Sequence, residues 1–442
     1  MTSERRSSAS EPDTEEIPSP DLVSEATRVL MENWRGLYTV PASGLYPHQW
    51  SWDSAFIAVG LRHVSPRRAQ QELESLLGAQ WADGRLPQIV FASGRDDEYS
   101  PGASFWRSEL IPGSAPVPTA GLIQPPNHAW AALLVHEADP EESRRRRFLD
   151  RAYPRLVAWH EYLRRRRSDE AGLAFTVHPW ETGMDNSPAW DAPLAAVRGT
   201  FGGNVPRPDL RHADVTERPS NAEYEKYLSL AATYRDAGCD DSVAATPFRV
   251  TDPGVTALWI RSELALGRIA EELGIEADHA DRAAALTEAL EDLWDAELGC
   301  YVPVDRVSCE PQRFRSITGL LPLIVPDLLH VDELLGTLHG EHFRLGRSVL
   351  VPSFDLTAPE FDTSRYWRGP AWFNTAWVLV NGLLECGLET EARVLADTMG
   401  ARAVESDFAE YLDPITGAAH GTRRFSWTAA LSLDLHVRLL EY

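Results

Sequence analysis

Apolar residues recur every three or four positions over several stretches of the chain, which is the spacing of one face of an α-helix. The stretch 66–82 shows this spacing through Leu73, Leu76 and Leu77. The same spacing predicts further helices over 126–137, 150–165, 253–273, 279–297 and 390–403. The stretches 371–386 and 426–440 are apolar on most sides, which predicts buried helices rather than helices that cover a core from outside.

Buried and amphipathic helices that follow one another predict two concentric layers. We find no series of alternating strands and no glycine-rich dinucleotide motif after a strand. The pattern therefore favours an all-α toroid of helix pairs over a sheet protein, with a generic helical bundle or solenoid left open. Residues 1–19 are rich in Ser, Glu, Pro and Arg and predict a disordered tail, which leaves 20–442 as a single domain.

Five long segments between the predicted helices concentrate Trp, Tyr, Gly, Pro and Asp. Long loops in a compact domain usually serve a function, so we expect these segments to line a pocket. They are 36–53, 83–127, 176–224, 346–372 and 405–427.

The chain carries 42 basic and 66 acidic side chains, a net charge of −24. This charge argues against nucleic acid and against an anionic membrane as the main partner, while a local Arg still permits a small anionic substrate. The four cysteines form no C-x-x-C pair and no zinc-like group, so we expect free thiols, a reducing compartment and no metal. No apolar stretch has the length of a signal or a membrane span, and a cytoplasmic enzyme without a cofactor is the expectation. A homo-oligomer stays possible.

Two acidic segments supply candidate acid–base chemistry. The stretch 178–188 places Glu181 and Asp185 among turn-forming residues, and either one is a candidate proton donor. Far downstream, Glu410 lies between Phe408 and Tyr411. Cleavage of a glycosidic bond requires one carboxylic acid and one carboxylate, with flat rings to hold the sugar. Two plainer interpretations stay open: Asp185 as an Asx-turn residue and Glu181 as a structural acid.

Two aromatic segments predict a sugar platform. Trp50 and Trp52 precede Asp53, whose carboxylate suits sugar hydroxyls; the alternative is a core-plugging loop with Asp53 as a helix N-cap. The second segment, 366–372, reads Tyr-Trp-Arg-Gly-Pro-Ala-Trp, and Pro370 suits the first turn of the helix predicted after it.

Taken together, these segments resemble glycoside hydrolase family 63, and within it the bacterial glucosylglycerate and mannosylglycerate hydrolases. The resemblance is collinear over roughly 30–435. The matching stretches are Leu45 to His48, Trp52-Asp53, Gln124 to Pro126, Trp180 to Pro188, Arg218 to Tyr224, Tyr366 to Trp372, Phe408 to Tyr411 and Ser426 to Thr428.

The resemblance implies an (α/α)6 barrel and inverting hydrolysis of an α-glycosidic bond without a metal. It assigns the general acid to Asp185 and the general base to Glu410, which removes a proton from water on the opposite face of the sugar. The residues expected around the sugar are Tyr46, Trp50, Trp52, Asp53, Gln124 and Trp372. Those expected to hold a glycerate carboxylate are Arg218, Tyr99, Tyr224 and Tyr366. We also place Trp180, Glu181 and Trp367 among the substrate contacts.

Two positions depart from the family pattern: Gln88 stands where relatives carry His, and Phe425 where they carry Gln. Both belong to the expected substrate region, so a changed sugar or aglycone is possible. The predicted reaction is hydrolysis of glucosylglycerate to glucose and glycerate. Alternative substrates are mannosylglycerate, a trehalose-like disaccharide and a secondary-metabolite glycoside. Other classes are a sugar epimerase or isomerase, which needs a His base pair in its pocket, and a non-catalytic sugar-binding protein.

Overall fold

Helices carry the fold in the computed structural model, which describes residues 21–202, 207–211, 214–241 and 246–440. The predicted disordered tail, 1–19, lies outside the described residues. The helices are α1 (Leu22–Asn33), α2 (Ser51–Val64), α3 (Pro66–Gly78), α4 (Ala103–Trp106), α5 (His128–Ala138), α6 (Pro140–Arg146), α7 (Phe148–Arg166), α8 (Asp191–Ala195), α9 (Asn221–Asp236), α10 (Pro253–Leu273), α11 (His279–Leu290), α12 (Val331–His339), α13 (Phe373–Glu385), α14 (Glu389–Glu405) and α15 (Ser426–Leu435).

Local capping chemistry sets several helix ends. The Asp252 side chain accepts a hydrogen bond from Val255 N, and Pro253 occupies the first turn of α10. Gly274 ends the same helix in a left-handed conformation at φ +67°. The prediction of a helix over 253–273 is therefore confirmed to the residue.

One series of elements forms a closed circuit of contacts. Helix α2 packs against α5, α5 against α10, α10 against the 310 turn Leu321–Ile324, that turn against α13, α13 against α15, and α15 against α2. Every residue of α15 is buried, as are Ser51–Arg62 of α2. Helices α1, α3, α7, α11 and α14 pack outside this circuit. The helices predicted as buried (371–386) and amphipathic (390–403) correspond to α13 in the circuit and α14 outside it.

Short strands were not predicted, and the structure corrects this point. The strands are β1 (Gln49–Trp50), β2 (Ile89–Val90), β3 (Phe175–Thr176), β4 (Val250–Thr251), β5 (Trp294–Asp295), β6 (Cys300–Tyr301), β7 (Val304–Asp305), β8 (Glu310–Pro311), β9 (Ala371–Trp372), β10 (Tyr411–Leu412) and β11 (Ala419–His420). Their antiparallel sheets are β1–β2, β3–β4–β7–β8, β5–β6 and β9–β10–β11. A strand of two residues is too short to show an alternating pattern.

Several of the predicted loop segments contain helix. The segment 36–53 runs into α2, so Trp52 and Asp53 lie in its first turn and Trp50 is the N-cap residue. The N-cap alternative for Asp53 is therefore wrong. The segment 176–224 contains the start of α9, which opens with a capping box between Ser220 and Glu223.

The four cysteines are free thiols, as predicted; Cys239 and Cys300 are buried, and Cys309 is exposed. Among the described helices, none combines the length and the apolar character that crossing a bilayer requires.

Candidate active site

Two adjoining cavities open among the five predicted loop segments. The first is lined by Tyr46, Trp50, Trp52, Asp53, Gln88, Tyr99, Gln124, Trp180, Gly183, Asp185, Tyr366, Trp367, Trp372, Glu410, Phe425 and Trp427. The second is lined by Leu45, Tyr46, Tyr99, Ser100, Trp180, Asp185, Pro208, Asp209, Arg218, Pro219, Tyr224 and Tyr366. Asp185 belongs to both walls, whereas Glu410 faces the first cavity and Arg218 the second.

A tight turn positions Asp185 at the junction of the cavities. The 310 turn Pro179–Thr182 ends at Gly183, whose φ of +74° favours glycine. A Cβ atom at Gly183 would lie 2.4 Å from Trp52 Cζ2, so the turn passes directly over the Trp52 ring. The Asp185 carbonyl oxygen accepts a hydrogen bond from Tyr227 Oη at 3.0 Å. Backbone contacts thus fix Asp185 while its carboxyl group faces the cavities.

The Asp185 carboxyl is suited to donate a proton at neutral pH. Burial raises its pKa, the Arg218 charge and a backbone hydrogen bond lower it, and the Glu410 charge raises it again; the result is a pKa of about 7. The ordinary value for Asp is 3.8. A general acid works best when its pKa is near the operating pH, which is where this environment places Asp185.

Glu410 lies directly before β10 and is held by three different donors. Tyr46 Oη donates to its Oε1 at 2.8 Å, while Arg218 Nη2 and Thr422 N donate to its Oε2 at 3.2 and 3.1 Å. Only 1% of Glu410 is exposed, so its carboxyl group is shielded from bulk water and is oriented by these three fixed partners.

Arg218 lines the second cavity and is buried, so its ion pair with Glu410 lies inside the protein and not at the surface. Besides Glu410, its guanidinium donates to Tyr46 Oη at 3.0 Å and lies over the Tyr366 ring at 4.7 Å. Arg218 Nε has no hydrogen-bond partner among the described residues. A buried N–H without a partner is costly, and the side chain that carries it lines the second cavity with its cationic group.

Stacked rings form one wall. Trp367 and Trp372 lie face to face with centroids 4.0 Å apart and planes within 1°. Trp372 stacks on Tyr411 at 4.5 Å, and Tyr411 on His420 at 6.0 Å, along the register of the β9–β10–β11 sheet. The sheet therefore aligns three of these rings, and Trp367 extends the row by stacking on Trp372 beside the cavity. Flat rings of this kind suit the apolar faces of a sugar.

Polar side chains complete the first cavity. Gln124 Oε1 accepts from Trp52 N at 3.2 Å, and Gln88 makes no side-chain hydrogen bond within the described residues, which leaves its amide facing the cavity. Burial, opposed by a backbone hydrogen bond and assisted by nearby carboxylates, raises the pKa of Asp53 well above its ordinary value. Phe425 contributes an apolar surface packed edge-on against Tyr46 at 5.7 Å.

Glu181 is placed differently from the prediction. It is 1% exposed, is absent from both cavity walls, and forms a two-pronged ion pair with Arg167 at 2.6 and 2.8 Å. It also accepts hydrogen bonds from Ile123 N and Val177 N. Both oxygens of its carboxylate are occupied by these contacts, which link neighbouring loops. The structure therefore favours the structural interpretation of Glu181 over contact with substrate.

The prediction missed several wall residues. Trp427 lines the first cavity and stands two residues from Phe425, a spacing of aromatic residues that the sequence displays. Asp209 lines the second cavity and pairs with Arg207 at 2.7 Å. No histidine lines either cavity among the described residues, so neither wall offers the His pair of an isomerase. No group of three or more His, Cys, Asp or Glu side chains suited to a metal occurs in the described ranges.

Comparisons with known proteins identify the family of the chain. The family model of the mannosylglycerate hydrolase MGH1-like glycoside hydrolase domain matches residues 46–428. A mannosylglycerate hydrolase of Rubrobacter radiotolerans is 40% identical, covering 94% of this chain and 96% of its own length. A glucosylglycerate hydrolase of Mycolicibacterium hassiacum is 34% identical, covering 93% and 97%.

The crystal structure of a family 63 mannosylglycerate hydrolase from Thermus thermophilus, in complex with Tris and D-glycerate, superposes with a TM-score of 0.86. The two chains are 38% identical, and the match covers 94% of this chain and 99% of the other. With its whole catalytic core matched by the family model, the chain belongs to glycoside hydrolase family 63, in its mannosylglycerate hydrolase MGH1-like branch, and is an enzyme.

Proposed function

We propose that the enzyme hydrolyses a small anionic α-glycoside of glycerate with inversion of configuration. The observation that carries the proposal is the position of Asp185 in the wall shared by two cavities. A sugar in the first cavity and an acid aglycone in the second would bring the glycosidic oxygen to this carboxyl group. Asp185 would then protonate the leaving oxygen, and Glu410 in the first cavity would deprotonate the attacking water.

The second cavity supports an anionic aglycone. Arg218 and the phenols of Tyr99, Tyr224 and Tyr366 border it, so one cationic side chain and three ring hydroxyls surround the place of the aglycone. The rings and free polar groups of the first cavity support a hexose there. A neutral aglycone would form no ion pair with the Arg218 side chain that lines this cavity, which disfavours a trehalose-like disaccharide.

The identity of the sugar has two candidates. The sequence favours glucosylglycerate, whereas the 40% identity to a mannosylglycerate hydrolase favours mannosylglycerate. The closed circuit from α2 to α15 supports an (α/α)6 barrel, and the wall residues from 45 to 427 support one catalytic domain over 20–442.

The test incubates the enzyme with glucosylglycerate, mannosylglycerate and trehalose and follows the anomeric protons by NMR. We expect hydrolysis of at least one glycerate and no comparable hydrolysis of trehalose, with the β-anomer of the sugar appearing first. Initial release of the α-anomer would contradict inversion. Inactivity towards both glycerates, or faster hydrolysis of trehalose, would contradict the anionic aglycone.

A further inference from the structure

The chain segment that follows β11 holds two carboxylates side by side. Gly421 N donates to Glu217 Oε2 at 3.1 Å, and the next amide, Thr422 N, donates to Glu410 Oε2 at 3.1 Å. Glu410 N in turn donates to the Thr422 carbonyl at 2.9 Å. One short turn therefore binds both the carboxylate of the assigned base and a second carboxylate that lines neither cavity.

The second carboxylate belongs to the residue before Arg218. His420 Nδ1 lies 2.7 Å from Glu217 Oε1, so the carboxylate takes an imidazole N–H on one oxygen and the Gly421 amide on the other. Burial alone would raise the pKa of Glu217, but these two hydrogen bonds lower it, which keeps the group an ionised acceptor. Both side chains are mostly buried, with exposures of 16% for Glu217 and 17% for His420.

The turn has a shape that suits this pairing. Gly421 adopts φ +64°, and a Cβ atom there would lie 2.4 Å from Glu410 Oε2. The missing side chain lets Glu410 approach the turn while the Gly421 amide points to Glu217. His420 is fixed from its other side, because it pairs with Tyr411 across β10–β11 and stacks on its ring.

Glu217 is the last residue of the 310 turn Val215–Glu217, and Arg218 follows it in extended backbone. From there Arg218 reaches back to Glu410 Oε2 at 3.2 Å. We infer that Glu217, His420 and Gly421 form a hydrogen-bonded group, here called the clasp, that positions Arg218 against Glu410 and towards the second cavity. These are positioning residues for the proposed hydrolysis, since they act on substrate only through Arg218, and the inference rests on that proposed function.

Three variants separate the parts of the clasp. His420→Phe keeps a ring on Tyr411 and removes the N–H; His420→Asn keeps an N–H donor in place of Nδ1; Glu217→Gln removes the charge. The matched control is His339→Phe, because His339 pairs with Glu391 at 3.0 Å and neither residue lines the active-site cavities.

We expect His420→Phe and Glu217→Gln to lower kcat/KM for the hydrolysed glycerate by about tenfold, the usual effect of losing a hydrogen bond to a charged group. His420→Asn should recover most of the loss, and His339→Phe should stay within about twofold of wild type. In an Arg218→Lys background, His420→Phe should cause little further loss, because residues that act through one another are not additive.

If the clasp only stabilises the fold and does not position Arg218, the variants should behave differently. Equal losses from His420→Phe with Arg218 or Lys at position 218 would overturn the inference, as would a lower Tm with unchanged kcat/KM. Hydrogen exchange provides a readout that needs no activity: His420→Phe should raise deuterium uptake in peptides that cover 214–218 and 420–422, and unchanged uptake there would overturn the inference. Failure of the wild type on both glycerates refutes the proposed function alone, and the exchange measurement then decides the clasp.

Discussion

With Asp185 as the proposed general acid, its raised pKa predicts a reaction that is sensitive to pH just above neutrality. The free enzyme needs this carboxyl protonated to act as the acid, and kcat/KM reports the protonation of the free enzyme. With a pKa of about 7, kcat/KM should begin to fall near pH 7 and then decrease tenfold for each further pH unit. The sign follows from chemistry: raising the pH removes the proton that must reach the glycosidic oxygen.

The size of the effect follows from the same value. At pH 7 a pKa of about 7 leaves about half of the molecules with a protonated Asp185, whereas the ordinary 3.8 would leave roughly 0.06%. The buried junction between the cavities therefore raises the competent fraction by a factor on the order of 800, most of it from removing the carboxyl from water.

The assay is a kcat/KM profile from pH 5 to 9 for the wild type, Asp185→Asn and a control, Asp397→Asn, whose carboxyl is exposed on α14. Asp185→Asn should lower activity by about 10²- to 10⁴-fold, and its residual activity should not decline above pH 7. The control should follow the wild type. A wild-type profile that stays level to pH 9, or a decline retained in Asp185→Asn, would refute the reasoning.

Three further outcomes are expected. Glu181→Gln leaves the buried Arg167 charge short of a partner and should lower the free energy of unfolding by about 3 kcal/mol in urea titrations; an unchanged midpoint would contradict the structural role of the pair. Gly183→Ala places a Cβ atom 2.4 Å from Trp52 Cζ2 at a φ of +74°, so it should lower stability by about 1–3 kcal/mol together with kcat/KM, and full activity would argue against the tight turn. Burial alone would raise the pKa of Glu263, but two histidines that bond to it lower it to about 2, so its stabilising contribution is present above pH 4.5 and is lost as the pH falls towards 2. Urea unfolding at several pH values should show a decline about 3 kcal/mol larger for the wild type than for Glu263→Gln over this window, and parallel curves would contradict it.

The limits of a helix could be predicted from the sequence where capping residues stand at its two ends. Asp252, Pro253 and Gly274 bound α10 by interactions within a few residues, so the predicted and observed limits coincide. The start of α9 carried an equally local mark in Ser220 and Glu223, which the prediction did not use. The small sheets carried no such mark, because their strands are two residues long and several of them, such as β3 and β4, pair across long sequence separations.

The sequence predicted which segments of the chain line the cavities, but it did not decide the role of each side chain in them. All residues of both walls come from the five loop segments, since aromatic and turn residues concentrate there. The choice between Glu181 and Asp185 depends on Gly183, which ends the turn between them, and on Arg167, which lies 14 positions before Glu181 in the chain. The sequence shows both acids, but only the tertiary structure shows which one is already neutralised by a buried cation.

The row of rings beside the β9–β10–β11 sheet also provides an intrinsic spectroscopic signal. Two indoles with centroids 4.0 Å apart and parallel planes are close enough for their excited states to couple, and this coupling falls steeply with separation and angle. Trp367 and Trp372 line the first cavity, so the dichroism of their paired absorption would register a change in their separation or angle. Sugar entry, and displacement of the strand beside Glu410, would thus be visible as a change in light absorption, without a label or a turnover.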